Sequence, residues 1–306
     1  MSESAPKRYK ASRLGRISVI ALHAFTQLVR MKVFYFLIVF AVITLGSNFF
    51  ELPQHTIVAG LDGLRAIKSW SLGTMTLFSV VLAIVATSLL LPKDVEDRTL
   101  YTILAKPVPR LDYLTGKLLG VLALVFVSLL LMDGLMSGVL HVRTGIVLHE
   151  QLAIAEAREF TPEDIESLRT DILAQGSTWS LQGAVAAVFL RAAVIAAVAL
   201  LISTFSSSTL FTTIISFLIY FIGHFQAEAR EIYLKGGEIG ESTFVTMTSL
   251  LVTLILPDFQ IFNVIDAVIE GQVIPLLTFA KLAGIALYYT TLFTLISWFI
   301  FAEKEF

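Results

Sequence analysis

Six apolar runs divide this chain, and each approaches the length a helix needs to cross a bilayer, about 17 to 25 residues. They lie at 33–50, 72–91, 118–140, 184–203, 210–225 and 276–301. The chain is 56% hydrophobic and only 15% charged over 306 residues. Ordinary globular domains carry about a quarter charged residues, so the runs belong to an integral membrane protein and not to a large soluble core. The expected fold is all-α: a polytopic membrane protein of six transmembrane helices in a single domain, 1–306. A further apolar run, 244–256, is too short to span. Pro257, Asp258, Asn263 and Asp266 follow it, and Gly271 and Pro275 close it. The segment 243–275 therefore reads as an outer re-entrant hairpin.

Lys and Arg in the short loops set the orientation. Residues 1–32 hold Lys7, Arg8, Lys10, Arg13, Arg16, Arg30 and Lys32 against the single acid Glu3. The 92–117 loop holds Lys93, Arg98, Lys106, Arg110 and Lys117. Residues 141–183 carry seven acids and only Arg143, Arg158 and Arg169. Both termini and the 92–117 loop are thus expected in the cytoplasm, and the acidic insertion outside. No cleavable signal segment is expected, because the first apolar run is preceded by a basic stretch with no small-residue cleavage site.

Between the second and third runs, Val95, Leu100, Ile103 and Leu104 recur at near-helical spacing, with Asp94, Glu96, Asp97 and Arg98 mostly opposite. This predicts a short amphipathic helix, broken at Pro107 and Pro109. Ahead of the first run, Ile17, Ile20, Ala21, Ala24, Phe25 and Leu28 form an apolar stripe. Flanking arginines make it an expected interfacial helix in the inner leaflet. The insertion 141–183 reads as two short helices. The second is capped by Thr161, started by Pro162 and ended by Gly176. Asp62-Gly63 reads as an external turn.

Several chemistries are disfavoured. Gly116-Lys117 is followed by Leu118 and lacks the upstream glycine of a phosphate loop, so ATP hydrolysis by that route is not expected in this chain. There is no cysteine, which removes thiolate metal sites and cysteine nucleophiles. The five histidines form no ligand pair at helical spacing, and Met132 and Met136 are read as packing. A net charge of -2 gives no basis for nucleic-acid binding. Asp133 and Arg191 interrupt apolar runs. Lone charges there are costly and tend to pair, so an Asp133–Arg191 intramembrane ion pair is expected between the third and fourth spans. Gly116-x-x-x-Gly120, Gly134-x-x-x-Gly138, the alanines at 192, 193, 196 and 197, and Ala280-x-x-x-Gly284 mark close helix contacts, within the bundle or at a dimer seam.

Glu96-Asp97-Arg98-Thr99-Leu100-Tyr101-Thr102-Ile103-Leu104, then Lys106-Pro107-Val108, Arg110, Gly116-Lys117 and Gly120, resembles the exporter-type (type-2) permeases of ATP-binding-cassette (ABC) transporters. Arg30-x-Lys32, Phe205-Ser206-Ser207-Ser208, and Pro257-Asp258 with Phe262 also fit that family. The subgroup it most resembles includes permeases associated with multicopper-enzyme maturation, although no Cys, His or Met relay supports copper as cargo.

The resemblance implies a permease subunit that couples ATP hydrolysis on separate ABC ATPase subunits to export or force transmission, working with a second permease subunit in a bilayer such as the bacterial inner membrane. It implies no catalytic residue and no cofactor in this chain, with ATP and Mg on the partner. Glu96, Asp97, Arg98, Thr99, Leu100 and Tyr101 would be the ATPase-coupling contacts. Arg110 and Lys117 would anchor the loop to headgroups or to the partner. The rival readings are a lipid-modifying membrane enzyme using Asp133, Arg191, Asp258 and Asp266, and a membrane scaffold that moves no cargo.

Overall fold

The computed structural model describes residues 12–30, 35–46, 57–96, 108–206, 208–235 and 256–303. Among these every regular element is a helix. In order come α1 (Arg13–Arg30), α2 (Tyr35–Gly46), α3 (Ile57–Glu96), α4 (Arg110–Ala157), α5 (Pro162–Ala174), α6 (Trp179–Phe205), α7 (Thr209–Lys235), a 3₁₀ turn (Phe259–Phe262), α8 (Ile265–Ile269) and α9 (Leu276–Glu303). Five helices, α3, α4, α6, α7 and α9, carry stretches long and apolar enough to cross a membrane. They coincide with the second to sixth apolar runs. Twelve residues of the first run form α2; the rest of that run lies outside the described residues.

α6 is the axis of the bundle. Its alanine-rich sequence lets α3 and α9 pack closely on it, and Ala184, Ala187, Ala192, Ala196, Ala197 and Ala199 are fully enclosed. Ala favours the helix and leaves room for larger neighbours. Against it stand Leu72, Met75, Ala83 and Ile84 of α3, also fully buried. By contrast, α7 and α9 turn Phe211, Ile214, Leu218, Leu287, Leu295 and Phe299 outward. Exposed apolar surface of this extent suits a lipid environment and not water.

Two helices overrun any bilayer. α3 has 40 residues and α4 has 48, about 60 and 72 Å at 1.5 Å per residue, against a hydrocarbon core of about 30 Å. This corrects two expectations. Asp62 and Gly63 lie inside α3, not in a turn: Leu64, Ile67, Lys68, Ser71, Leu72 and Met75 form a buried stripe at helical spacing, and Arg65 reaches Asp62 at 3.6 Å on the exposed side. The insertion 141–183 begins as a continuation of α4, not as a separate short helix. Leu140, Thr144, Val147, Gln151 and Ala155 are buried along one side, and the absent methyl of Gly60 brings α3 directly onto Val147 and Gln151. Only then does α5 start. Thr161 caps it by accepting from the Asp164 N–H, with Pro162 in the first turn. The helix ends at Ala174, just before Gly176.

The stripe on α1 is also put to a use the sequence did not announce. Ile20, Ala24, Phe25 and Leu28 pack against protein, while Leu14, Val19 and Leu22 on the other side are exposed. The seat is the Gly116/Gly120 pair of α4. A methyl built on Gly116 would stand 2.7 Å from Ile20, and one on Gly120 would stand 2.6 Å from Ala24 and 2.8 Å from the Ala21 carbonyl. Gly134, Gly138 and Gly284 face open space. The two kinds of glycine therefore respond oppositely to the same change. Gly120→Ala forces α1 away and lowers stability by about 1–3 kcal/mol. Gly138→Ala gains about 0.5–1 kcal/mol of helix propensity. Thermal midpoints of the purified variants in one detergent check both signs.

Candidate functional site

Two of the buried charged residues among those described, Asp112 and Lys117, stand in the first turns of α4. α4 starts directly after Pro109, whose fixed φ and missing N–H suit the position before the first helical residue. Asp112 falls in the first turn, where the exposed N–H groups favour a negative charge. Its carboxylate is 1% exposed, and two α1 arginines enclose it. Arg13 Nε donates to Oδ1 at 3.0 Å; Arg16 Nε and Nη2 donate to Oδ2 at 3.1 and 2.8 Å. Arg13 and Arg16 are spaced i, i+3 on α1, so one face presents both.

The same turns grip α9. Arg110 Nη1 donates to the Phe301 carbonyl at 2.7 Å and to the Ala302 carbonyl. These are among the last carbonyls of α9, which lack intrahelical donors and carry the negative end of the helix dipole. The guanidinium also lies 5.9 Å from the Phe301 ring centroid, and Phe301 stacks on Tyr113 at 6.1 Å. Lys117 is 2% exposed and its ammonium sits 5.7 Å from the Tyr113 ring. One helical start thus binds α1 through Asp112 and α9 through Arg110, with Tyr113 and Lys117 packed between.

The expected coupling residues precede this block. Glu96 ends α3; its side chain, and Asp97, Arg98, Thr99, Leu100 and Tyr101, lie outside the described residues. α3 runs on through Pro92 to Glu96, so the segment between α3 and α4 is shorter than 92–117. Of the two residues expected to anchor the loop, Arg110 bonds to the end of α9 and Lys117 is buried beside Tyr113. Helix termini and aromatic faces inside the bundle compete for these cations, and the loop sequence alone does not show those partners.

The expected ion pair is corrected. Asp133 accepts from Gln182 Nε2 at 3.2 Å and from Ser137 at 3.3 Å. Arg191 meets the Tyr220 hydroxyl. Asp133 and Arg191 form no pair with each other. Gln182, near the start of α6, lies level with Asp133. Arg191 comes nine residues later, two and a half turns, which places it on the opposite face and about 13 Å further along. Of the remaining candidates, Asp258 is buried and accepts from the Gln260 N–H at 2.9 Å, and Asp266 accepts from Asn263 at 3.2 Å. The four acidic and basic residues of the enzyme reading are thus held in separate local contacts. Among the described residues no group of three or more metal-ligating side chains is gathered.

No family model matches the chain, and no curated protein matches it.

Sequence reading missed Lys68. It is 2% exposed, at the opposite end of the bundle from Arg110. Its ammonium donates to Gln175, to the Val268 carbonyl at 3.3 Å and to the Ile269 carbonyl at 3.5 Å. It therefore ties α3 to the end of α5 and the end of α8. Gly271, at φ 85, allows the turn that follows, and a methyl built on it would stand 3.1 Å from the Gln175 amide nitrogen. The available signal was Lys68's place in the Leu64–Leu72 stripe.

The Asp112 clamp has an asymmetric response. Asp112→Ala frees two arginines, 62% and 30% exposed, that water can solvate; it costs about 1–2 kcal/mol. Arg13→Ala/Arg16→Ala strands a buried carboxylate and costs about 3 kcal/mol or more. Adding Asp112→Ala to the arginine double variant recovers part of that loss. Thermal denaturation of the three variants in detergent measures the order.

Proposed function

We propose that this chain is the membrane-spanning permease subunit of an ABC transporter, driven by separate ATPase subunits that push on the segment between α3 and α4. The observation that carries the reading is the block at the start of α4. Whatever moves residues 97–107 pulls on a helix start that is bonded to α1 and to the end of α9, so a local displacement becomes a movement of three helices together. The type-2 permease pattern from Glu96 to Gly120 is the sequence counterpart of that anchorage.

In this reading the Arg110 end faces the cytoplasm, where Arg and Lys concentrate, and the Lys68 end faces outward. α2 belongs to the first of six spans. α1 lies at the inner surface with Leu14, Val19 and Leu22 toward lipid. The 3₁₀ turn and α8 form the returning arm of an outer hairpin. α3, α4 and α5 build an acidic cap over it. Two permease subunits stand over two ATPases in the cell membrane, in bacteria the inner membrane. Glu96, Asp97, Arg98, Thr99, Leu100 and Tyr101 make the contact; Arg110 and Lys117 stiffen its return into the bundle. The chain itself carries out no covalent chemistry, and ATP and Mg belong to the ATPase.

Purification of the tagged chain from its native membrane in mild detergent, followed by mass spectrometry, tests this. An ATPase with a phosphate-binding loop co-purifies with wild type and is lost from the Glu96→Lys/Leu100→Asp variant, while the thermal midpoint of that variant stays within about 1–2 °C of wild type. An equally folded wild type that brings down no ATPase contradicts the proposal.

A further inference from the structure

Arg191 stands twelve residues beyond Trp179, about 18 Å along α6 and near the middle of its length. It is 4% exposed. Its Nε and Nη2 are buried and have no hydrogen-bond partner, and no carboxylate among the described residues forms an ion pair with it. A charge at this depth without an opposite charge is costly, and each unmet donor adds to the cost. The two orphaned nitrogens lie on one edge of the guanidinium, the edge that holds two oxygens of a single oxyanion side by side.

The surroundings are polar where they need not be. The Tyr220 hydroxyl oxygen lies beside Arg191 as an acceptor for its guanidinium. One turn on, His224 stacks on Tyr220 at 6.0 Å, and its buried Nδ1 also lacks a partner. Phe259 closes on Tyr220 at 5.3 Å. Gly223 lets the Pro257 carbonyl and the Phe259 ring approach so closely that a methyl there would stand 2.5 Å from the one and 2.8 Å from the other. Among the described residues of that arm, Asp258 accepts from the Gln260 N–H through Oδ1.

We propose that the junction of α6, α7 and the 3₁₀ turn is a binding site for a phosphate-type oxyanion, held side-on by Arg191 with Tyr220 and His224 beside it. The ligand is a free oxyanion or the headgroup of an acidic phospholipid drawn into the bundle. The site stands whether or not an ATPase binds this chain.

The test uses the full chain in phosphatidylcholine nanodiscs. Thermal midpoints are followed against sodium phosphate, with sodium chloride at matched ionic strength, and separately against increasing phosphatidic acid in the disc. Wild type shows a saturable rise with at least one probe. A response to inorganic phosphate identifies a free oxyanion; a response to phosphatidic acid alone identifies a headgroup. Arg191→Gln abolishes the rise, and Arg191→Lys, which keeps the charge but not the fork, weakens apparent affinity by at least about tenfold. Asp133→Asn leaves it unchanged. If Arg191→Gln does not fold, Tyr220→Phe and Arg191→Lys carry the comparison, with native mass spectrometry of wild type counting bound phosphate species. Absence of a saturable rise with both probes, or an equal rise in the Arg191 variants, overturns the site. So does an Asp258→Asn variant that gains the phosphate response wild type lacks, because Asp258 would then be the partner of Arg191.

Discussion

Asp112 is held out of water by two arginines from a helix almost a hundred residues earlier, and much of this end of the bundle follows from that contact. A buried carboxylate needs its charge matched and its oxygens occupied. Arg13 and Arg16 do both, which fixes the register of α1 on α4. With the register fixed, Ile20 and Ala24 fall opposite Gly116 and Gly120, the places where α4 has room for them. Electrostatics chooses the alignment and close packing makes it rigid. Arg110 extends the same block to α9 by occupying carbonyls that a helix end leaves open.

The opposite end is assembled by a different device with a similar result. α3 and α4 continue past any bilayer and carry their buried stripes with them, so the projecting parts pack on each other as the spans do. Lys68 then gathers the ends of α5 and α8 by donating to carbonyl groups, without a carboxylate. Between these two knots lies the alanine-lined axis of α6, whose small side chains leave the packing tight and Arg191 as the one long polar group near its middle.

What the sequence disclosed, and what it did not, divides along the same physical line. The five long apolar helices were legible because hydropathy over about twenty residues is a sum that no single substitution changes much. Thr161 and Pro162 were legible because caps act locally. The length of α4 was not, because 141–157 is polar enough to read as a loop, and its stripe from Leu140 to Ala155 becomes meaningful only with α3 opposite. The partners of Asp133, Arg191, Arg110 and Lys117 were not legible for a further reason. Equal depth in a membrane suggests a pair, but the rotation of each helix decides it. Nine residues along α6 turn Arg191 away from the face that Gln182 presents to Asp133. Lys68 was passed over because a lysine within an otherwise apolar stripe resembles an exposed interruption until its carbonyl partners are in place.

The central claim is that α1 and the start of α4 move as one body. The chain has no cysteine, so an Ile20→Cys/Gly116→Cys pair introduces the only thiols. The two β-carbon positions are 2.7 Å apart in the structure, and a shift of about 1 Å reaches disulfide spacing. Oxidation in native membranes, with and without Mg-ATP, is read out as the cross-linked peptide by mass spectrometry. The account predicts near-complete cross-linking under both conditions, and none for Val19→Cys/Gly116→Cys, whose first residue faces away. If Ile20→Cys and Gly116→Cys remain uncross-linked and both react with a maleimide, α1 is not seated on α4 and the block does not exist.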